Sequence, residues 1–94
     1  MARLLDLTWA LSSLADIEGI SDYIGADNLD AAQALADYFE LRAAKLQAHP
    51  RAYREGRLKG TREMSVHLNY LMVYAVSETT VTILRVLHAA QQWP

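Results

Sequence analysis

The chain has 94 residues, 52% of them hydrophobic and 21% charged, with no cysteine and a formal net charge of −2. Domains run about 100–150 residues, so one domain over residues 1–94 is expected. The composition excludes intrinsic disorder, and the missing cysteines exclude disulfide scaffolds, thiolate zinc sites and cysteine nucleophiles.

Asp6 and Leu7, with Leu4 and Leu5 before them, form a short apolar stretch that reads as an edge strand ahead of Thr8, an acceptable helix N-cap. Leu11, Leu14, Ile17, Ile20 and Ile24 then recur at three- and four-residue steps and predict an amphipathic helix. Gly25 to Asn28 break it, and Asp27 or Asn28 caps a second helix. Its expected core stripe is Ala31, Leu35, Tyr38, Leu41 or Arg42, and Leu46. His49-Pro50 should end it, because the residue before proline is pushed out of the α region. So short a connection makes the two helices an antiparallel hairpin.

Residues 51–61 read as a basic connector with Gly56 and Gly60. From Glu63 the period becomes two, with Met64, Val66 and Leu68 on one face. Tyr70 to Val76 is apolar on both faces, as a central strand covered on both sides would be. Thr80 to His88 is β-branched and strand-like. Eleven of the fifteen alanines lie in residues 1–48, and all five valines lie between Val66 and Val86. The first half is therefore expected to be helical and the second half sheet. The predicted fold is α+β: an N-terminal strand, then a helical hairpin packed on a small antiparallel sheet that ends in a three-stranded meander.

Charge is unevenly placed. Residues 1–41 hold one arginine against eight acids, whereas residues 42–63 hold seven cations against Glu55 and Glu63. The middle suits a polyanion or an acidic protein patch, unless acidic and basic segments simply face each other in the fold. No apolar run approaches the ~18 residues of a membrane span. Charge and turn signals crowd residues 1–7 too closely for the apolar region of a signal peptide. A soluble cytoplasmic protein is expected.

The chemistry-bearing residues are few. No histidine pair has helical metal-site spacing, so neither a metal nor a cofactor is expected. His49 sits at a helix end and His67 at a hairpin end. His88 ends the last strand, a place suited to acid–base work if a partner positions it and otherwise simply structural. No serine lies in a nucleophile-elbow motif. The run Gly56 to Arg62 lacks the end of a phosphate loop and reads as a basic turn. Asp16, Glu18, Asp22, Asp27 and Asp30 read as a solvated helix face. Tyr70, Met72 and Tyr74 share one strand face and are either core or a base-stacking platform.

The order of motifs resembles the ParE/RelE superfamily of bacterial toxins, its ParE branch in particular. The resemblance rests on Trp9-Ala10-Leu11, Leu14-Ala15-Asp16-Ile17 and Asp22-Tyr23-Ile24 in the first helix, and on Asp30-Ala31-Ala32 and His49-Pro50 around the second. Its most specific piece is Gly60-Thr61-Arg62-Glu63; Asn69 to Tyr74 and Ile83 to Pro94 complete it. It implies the toxin of a type II toxin–antitoxin system. ParE-like members poison DNA gyrase without being enzymes, RelE-like members cut messenger RNA on the ribosome, and some relatives are inactive and serve only as binding partners. It also implies a cognate antitoxin with a DNA-binding N-terminal domain, a hetero-oligomeric complex, and contact with DNA only through antitoxin or gyrase.

The RelE-like and YoeB-like ribonucleases carry an arginine where this chain has Leu71. The YafQ-like ones carry a histidine and an aspartate where it has about Ser65 and Asn69. The net acidic charge also departs from those usually basic enzymes. The ParE-like reading is preferred, with no catalytic residue. Target-binding candidates are Arg54, Arg57, Lys59, Arg62, His88, Gln91, Gln92 and Trp93; antitoxin-binding candidates are Arg51, Arg54, Arg57 and Arg62.

Overall fold

The computed structural model describes residues 3–67 and 69–94. Seven elements follow in order: β1 (Asp6–Trp9), α1 (Leu11–Gly25), α2 (Leu29–Lys45), β2 (Arg54–Glu55), β3 (Arg62–His67), β4 (Tyr70–Val76) and β5 (Thr80–His88). They build one five-stranded sheet in the order β1-β5-β4-β3-β2, with β4 central. β3, β4 and β5 form the expected antiparallel meander. The sheet is mixed and not purely antiparallel, because β1 pairs parallel to β5, from Asp6↔Thr80 to Trp9↔Ile83. A parallel pair needs a long crossover connection, and the helical hairpin lies within it.

The helices form where periodicity places them, but their faces differ from expectation. Thr8 caps nothing. It lies in β1 and hydrogen-bonds the Thr82 hydroxyl at 3.1 Å, and the N-cap position of α1 is Ala10. In α1 only Ile17 and Ile20 of the expected stripe pack on the main core. Leu11 is 84% exposed and Leu14 is exposed too, while Ser13 is fully buried with its hydroxyl on the Ala10 carbonyl. α2 is capped by Asn28, whose side chain accepts the Ala31 N–H at 3.0 Å. Its buried row is Ala32, Phe39, Ala43 and then Leu46, one position round from the expected Ala31 and Tyr38; Leu41 is exposed. Phe39, the largest apolar group on the helix, decides which row faces inward. The helix ends at Lys45, before His49-Pro50, as Leu46 and Gln47 turn back onto Ala43 and Ala44.

The helices cover one sheet face. Between them lie Phe39, Ala43, Leu46, Met64, Val66, Met72, Tyr74, Val81, Ile83 and Val86. The expected partner of Met64 and Val66, Leu68, lies outside the described residues, as do Met1 and Ala2. Met72 and Tyr74 are fully buried and Tyr70 is half-buried against Phe39, so this stripe is core and not an open stacking platform. The connector holds the two-residue β2, which pairs Arg54 with Glu63 and Glu55 with Arg62. The register slips between Val73 and Tyr74, and Leu84 is the extra residue on β5. That bulge turns Val81 and Ile83, then Val86, toward the helices and sends Arg85 and Leu87 to the opposite face.

Phe39→Ala is expected to cost about 3–5 kcal/mol, the usual range for a fully buried phenylalanine. Leu11→Ala should fall within about 0.5 kcal/mol of the parent. Urea unfolding of both variants measures the difference.

Candidate functional site

The most specific sequence motif is a structural clamp. Gly60 adopts a φ of +85°, a conformation glycine tolerates. Thr61 is buried, and its hydroxyl donates to the Leu58 carbonyl at 2.6 Å. A Cβ on Gly56 would come within 2.2 Å of that hydroxyl oxygen, so the turn closes only over glycine. Arg62 donates to the carbonyls of Tyr53 at 2.7 Å and Arg51 at 3.4 Å, which ties the connector to β3. Glu63 is only 2% exposed. It accepts the Arg57 backbone N–H at 2.8 Å and faces the guanidinium groups of Arg54 and Arg57 at 3.4 and 3.6 Å. Of the basic candidates, Arg54, Arg57 and Arg62 thus have internal partners. Arg51 and Lys59 are exposed and share a groove with Arg62, Glu55 and Val76.

The second sheet face carries a smaller apolar cluster of Leu71, Val73 and Leu87, and Trp93 packs on it. The tail turns after His88, where the Gln91 N–H donates to the His88 carbonyl, and runs back over this face. There the Trp93 carbonyl accepts Arg57 at 3.4 Å, and the Arg85 guanidinium lies 5.6 Å from the indole centroid. The indole Nε1 is buried without a hydrogen-bond partner. Trp93 is therefore a half-buried anchor, not a ring standing free for a partner. Gln91, Gln92 and His88 are exposed. His88 accepts the Ala90 N–H on Nδ1 and stacks edge-on with Tyr70 at 5.6 Å.

Two side-chain clusters carry no clear signal in the sequence. β1 stops opposite Ile83, while β5 continues for five residues. α1 completes that edge: the Ser12 hydroxyl donates to the Leu84 carbonyl at 2.7 Å, and Asp16 accepts the Val86 N–H at 2.9 Å. Asp16 also takes the Arg85 fork in two hydrogen bonds of 2.7 and 2.9 Å, which raises the arginine pKa above its ordinary value. So Asp16 is not part of the solvated helix face where the sequence places it, although Glu18, Asp22, Asp27 and Asp30 are. The other cluster centres on Arg42 of α2, which reaches the Tyr38 hydroxyl and the Ser65 carbonyl. Among the described residues no group of three metal-ligating side chains converges, and no helix is long and apolar enough to cross a membrane.

The family of ParE toxins of the type II toxin–antitoxin system parDE matches residues 7–93. The chain belongs to the ParE toxin family. Among relatives of this ParE chain, the candidate toxin Y4kP of Sinorhizobium fredii is 36% identical over 89 residues, 94% of this chain and 92% of that protein. Toxin RelE2 of Caulobacter vibrioides is 36% identical over 87 residues, 90% of this chain and 96% of that one. The chromosomal ParDE system of P. aeruginosa includes a chain that superposes with a TM-score of 0.80 at 21% identity, covering 93% of this chain and 98% of that chain, which establishes the shared fold.

Two outcomes follow from this geometry. Removing the ring in Trp93→Ala should lower stability by about 1–2 kcal/mol, the loss of a partly buried aromatic. Thermal melts report it. The Tyr74 hydroxyl donates to the Pro50 carbonyl at 2.8 Å, and burial pushes its pKa up from 10.0 to about 12 against the lowering field of Arg62. The unfolded chain ionises this phenol first. The stability tied to its protonated form is therefore complete below pH 10 and is lost as pH rises toward 12. Alkaline unfolding should show that loss in the parent, and Tyr74→Phe should flatten it.

Proposed function

We propose that this ParE-family chain is a toxin that inhibits DNA gyrase by binding, not by catalysis, and is neutralised by a cognate antitoxin. One observation carries the choice of target: Leu71, at the position of the RelE-like arginine, lies in the apolar seam beneath Trp93. Cutting RNA calls for groups that move a proton and stabilise charge on the phosphate. Around that seam the guanidinium groups of Arg54 and Arg57 face Glu63, and that of Arg85 is held by Asp16. By the resemblance, Ser65 and Asn69 stand at about the positions where YafQ-like enzymes place a histidine and an aspartate. These features support the ParE-like reading.

The ribonuclease reading has one observation in its favour, the exposed His88 beside Tyr70 at the end of β5. Among the relatives, the toxin named RelE2 points the same way. On the gyrase reading the contact residues are drawn from the exposed candidates Lys59, His88, Gln91 and Gln92, with Arg54, Arg57, Arg62 and Trp93 shaping the surface they sit on. The antitoxin is expected to present an acidic segment toward Arg51 and its basic neighbours Arg54, Arg57 and Arg62.

Purified chain is expected to inhibit gyrase supercoiling, or to trap gyrase-cleaved DNA, and to leave messenger RNA uncut in a translating extract. Codon-phased cuts at low protein concentration would reverse the choice of target. Loss of those cuts in His88→Ala would then assign the chemistry to that side chain. Neither effect, in a chain that still binds its antitoxin, would identify an inactive relative.

A further inference from the structure

Arg42 is a half-buried cation without an anion. Among the described residues, Arg54, Arg57 and Arg85 each meet a carboxylate, and Arg42 meets none. Its guanidinium instead contacts neutral groups: the Tyr38 hydroxyl at 3.0 Å, the Tyr53 hydroxyl at 3.4 Å and the Ser65 carbonyl at 3.4 Å. It also lies 5.8 Å from the Tyr38 ring centroid. Those contacts leave two of its five N–H groups free. A cation drawn partly out of water is stabilised by a partner of opposite sign, and here that partner is missing.

The same spot is a sheet edge. β2 pairs with β3 only at Arg62 and Glu63, so β3 runs on with no strand beside it on that edge. Strand alternation turns the Ser65 N–H and C=O the same way as those of Glu63, outward from β4. The Arg42 contact to the Ser65 carbonyl confirms that direction. Ser65 is exposed, so its backbone offers a donor and an acceptor at strand spacing. Tyr38, Arg42, Ser65, Val66 and His67 line a cleft of about 390 Å³ there. It continues over Tyr38 and His67 onto an apolar shelf of Ala31, Ala34 and Leu35.

We infer that this cleft is the seat of an extended segment of a partner polypeptide, which bridges to the Ser65 backbone and places a single carboxylate on Arg42. Strand addition supplies the backbone bonds, the shelf takes an apolar side chain, and the arginine fork takes the acid. A nucleic-acid backbone fits less well, because α2 carries exposed Asp30, Asp37 and Glu40, which would repel a run of phosphates but tolerate a single carboxylate. The proposal rests on the antitoxin reading above, and it adds a seat further along the same edge of β3, beyond the point where β2 and the Glu63 cluster end.

Two measurements on the complex of the chain with its antitoxin test it. In the parent, the Ser65 amide should exchange at least tenfold more slowly in the complex than in the free chain. Arg42→Gln should weaken antitoxin binding at least tenfold and reduce its salt dependence, with its fold checked by circular dichroism. If Arg42→Gln does not fold, Ser65→Pro removes the edge donor without breaking a β3–β4 bond and should weaken binding likewise. Unchanged affinity in a folded variant, or no slowing at Ser65, overturns the proposal and leaves the antitoxin reading intact. A parent chain that binds no antitoxin overturns both.

Discussion

The Asp16 carboxylate ties together the parts of this molecule that periodicity alone would leave apart. It accepts the Val86 N–H where β1 has run out, and it holds the Arg85 fork that sits over Trp93. One side chain on α1 thereby completes a sheet edge, fixes the helix against β5 and steadies the cation under the tail. The need for it arises because β1 ends at Trp9 opposite Ile83, and the β5 bulge lies just beyond that point. The extra residue at Leu84 breaks the ladder and reverses which face each later side chain takes, so Val86 enters the helix-side core and Leu87 the other. Without that reversal the tail would meet the wrong side of β5.

The same solution recurs on the other side of the sheet with a different chemistry. β3 outruns β2 as β5 outruns β1, and again a helix side chain reaches the bare edge, this time Arg42 from α2. An edge strand left bare is a template for pairing. On β5 the helix closes the edge with an acceptor and a donor. On β3 it brings a cation to the edge but leaves the Ser65 N–H open. The two sides of the sheet therefore differ in what they can still accept, although the backbone problem is the same.

Element order, strand alternation and the helical hairpin were legible in the sequence because each rests on period and on local chemistry such as the Asn28 cap. The inward faces of the helices were not. Leu11 and Leu14 extend a perfectly spaced row, yet hydrophobic residues need not be buried, and the close approach of α1 to the sheet selects the small Ser13 instead. In α2 two adjacent rows fit a 3.6-residue period, and only the burial of Phe39 in the core, edge-on to Tyr70, distinguishes them. The parallel pairing of β1 and the two-residue β2 depend on contacts distant in sequence. At the candidate site, Gly60 to Glu63 could be recognised as a pattern. Its work as a clamp could not, because the partners at Arg51, Tyr53, Arg54 and Arg57 meet it only in the fold.

The outward faces of the helices carry Leu11, Leu14, Tyr23, Leu29 and Leu41, all well exposed. The same helices carry Glu18, Asp22, Asp30, Asp37 and Glu40. Colloidal stability of the free chain then rests on mutual repulsion between acidic surfaces that would otherwise stick through their leucines. The net charge that keeps whole molecules apart falls to zero at the isoelectric point of about 5.8, and added salt shortens the range of what repulsion is left. Free chain held in mildly acidic, concentrated buffer is thus the form most prone to self-association, and dilute buffer well above neutrality is where it keeps its molecules apart.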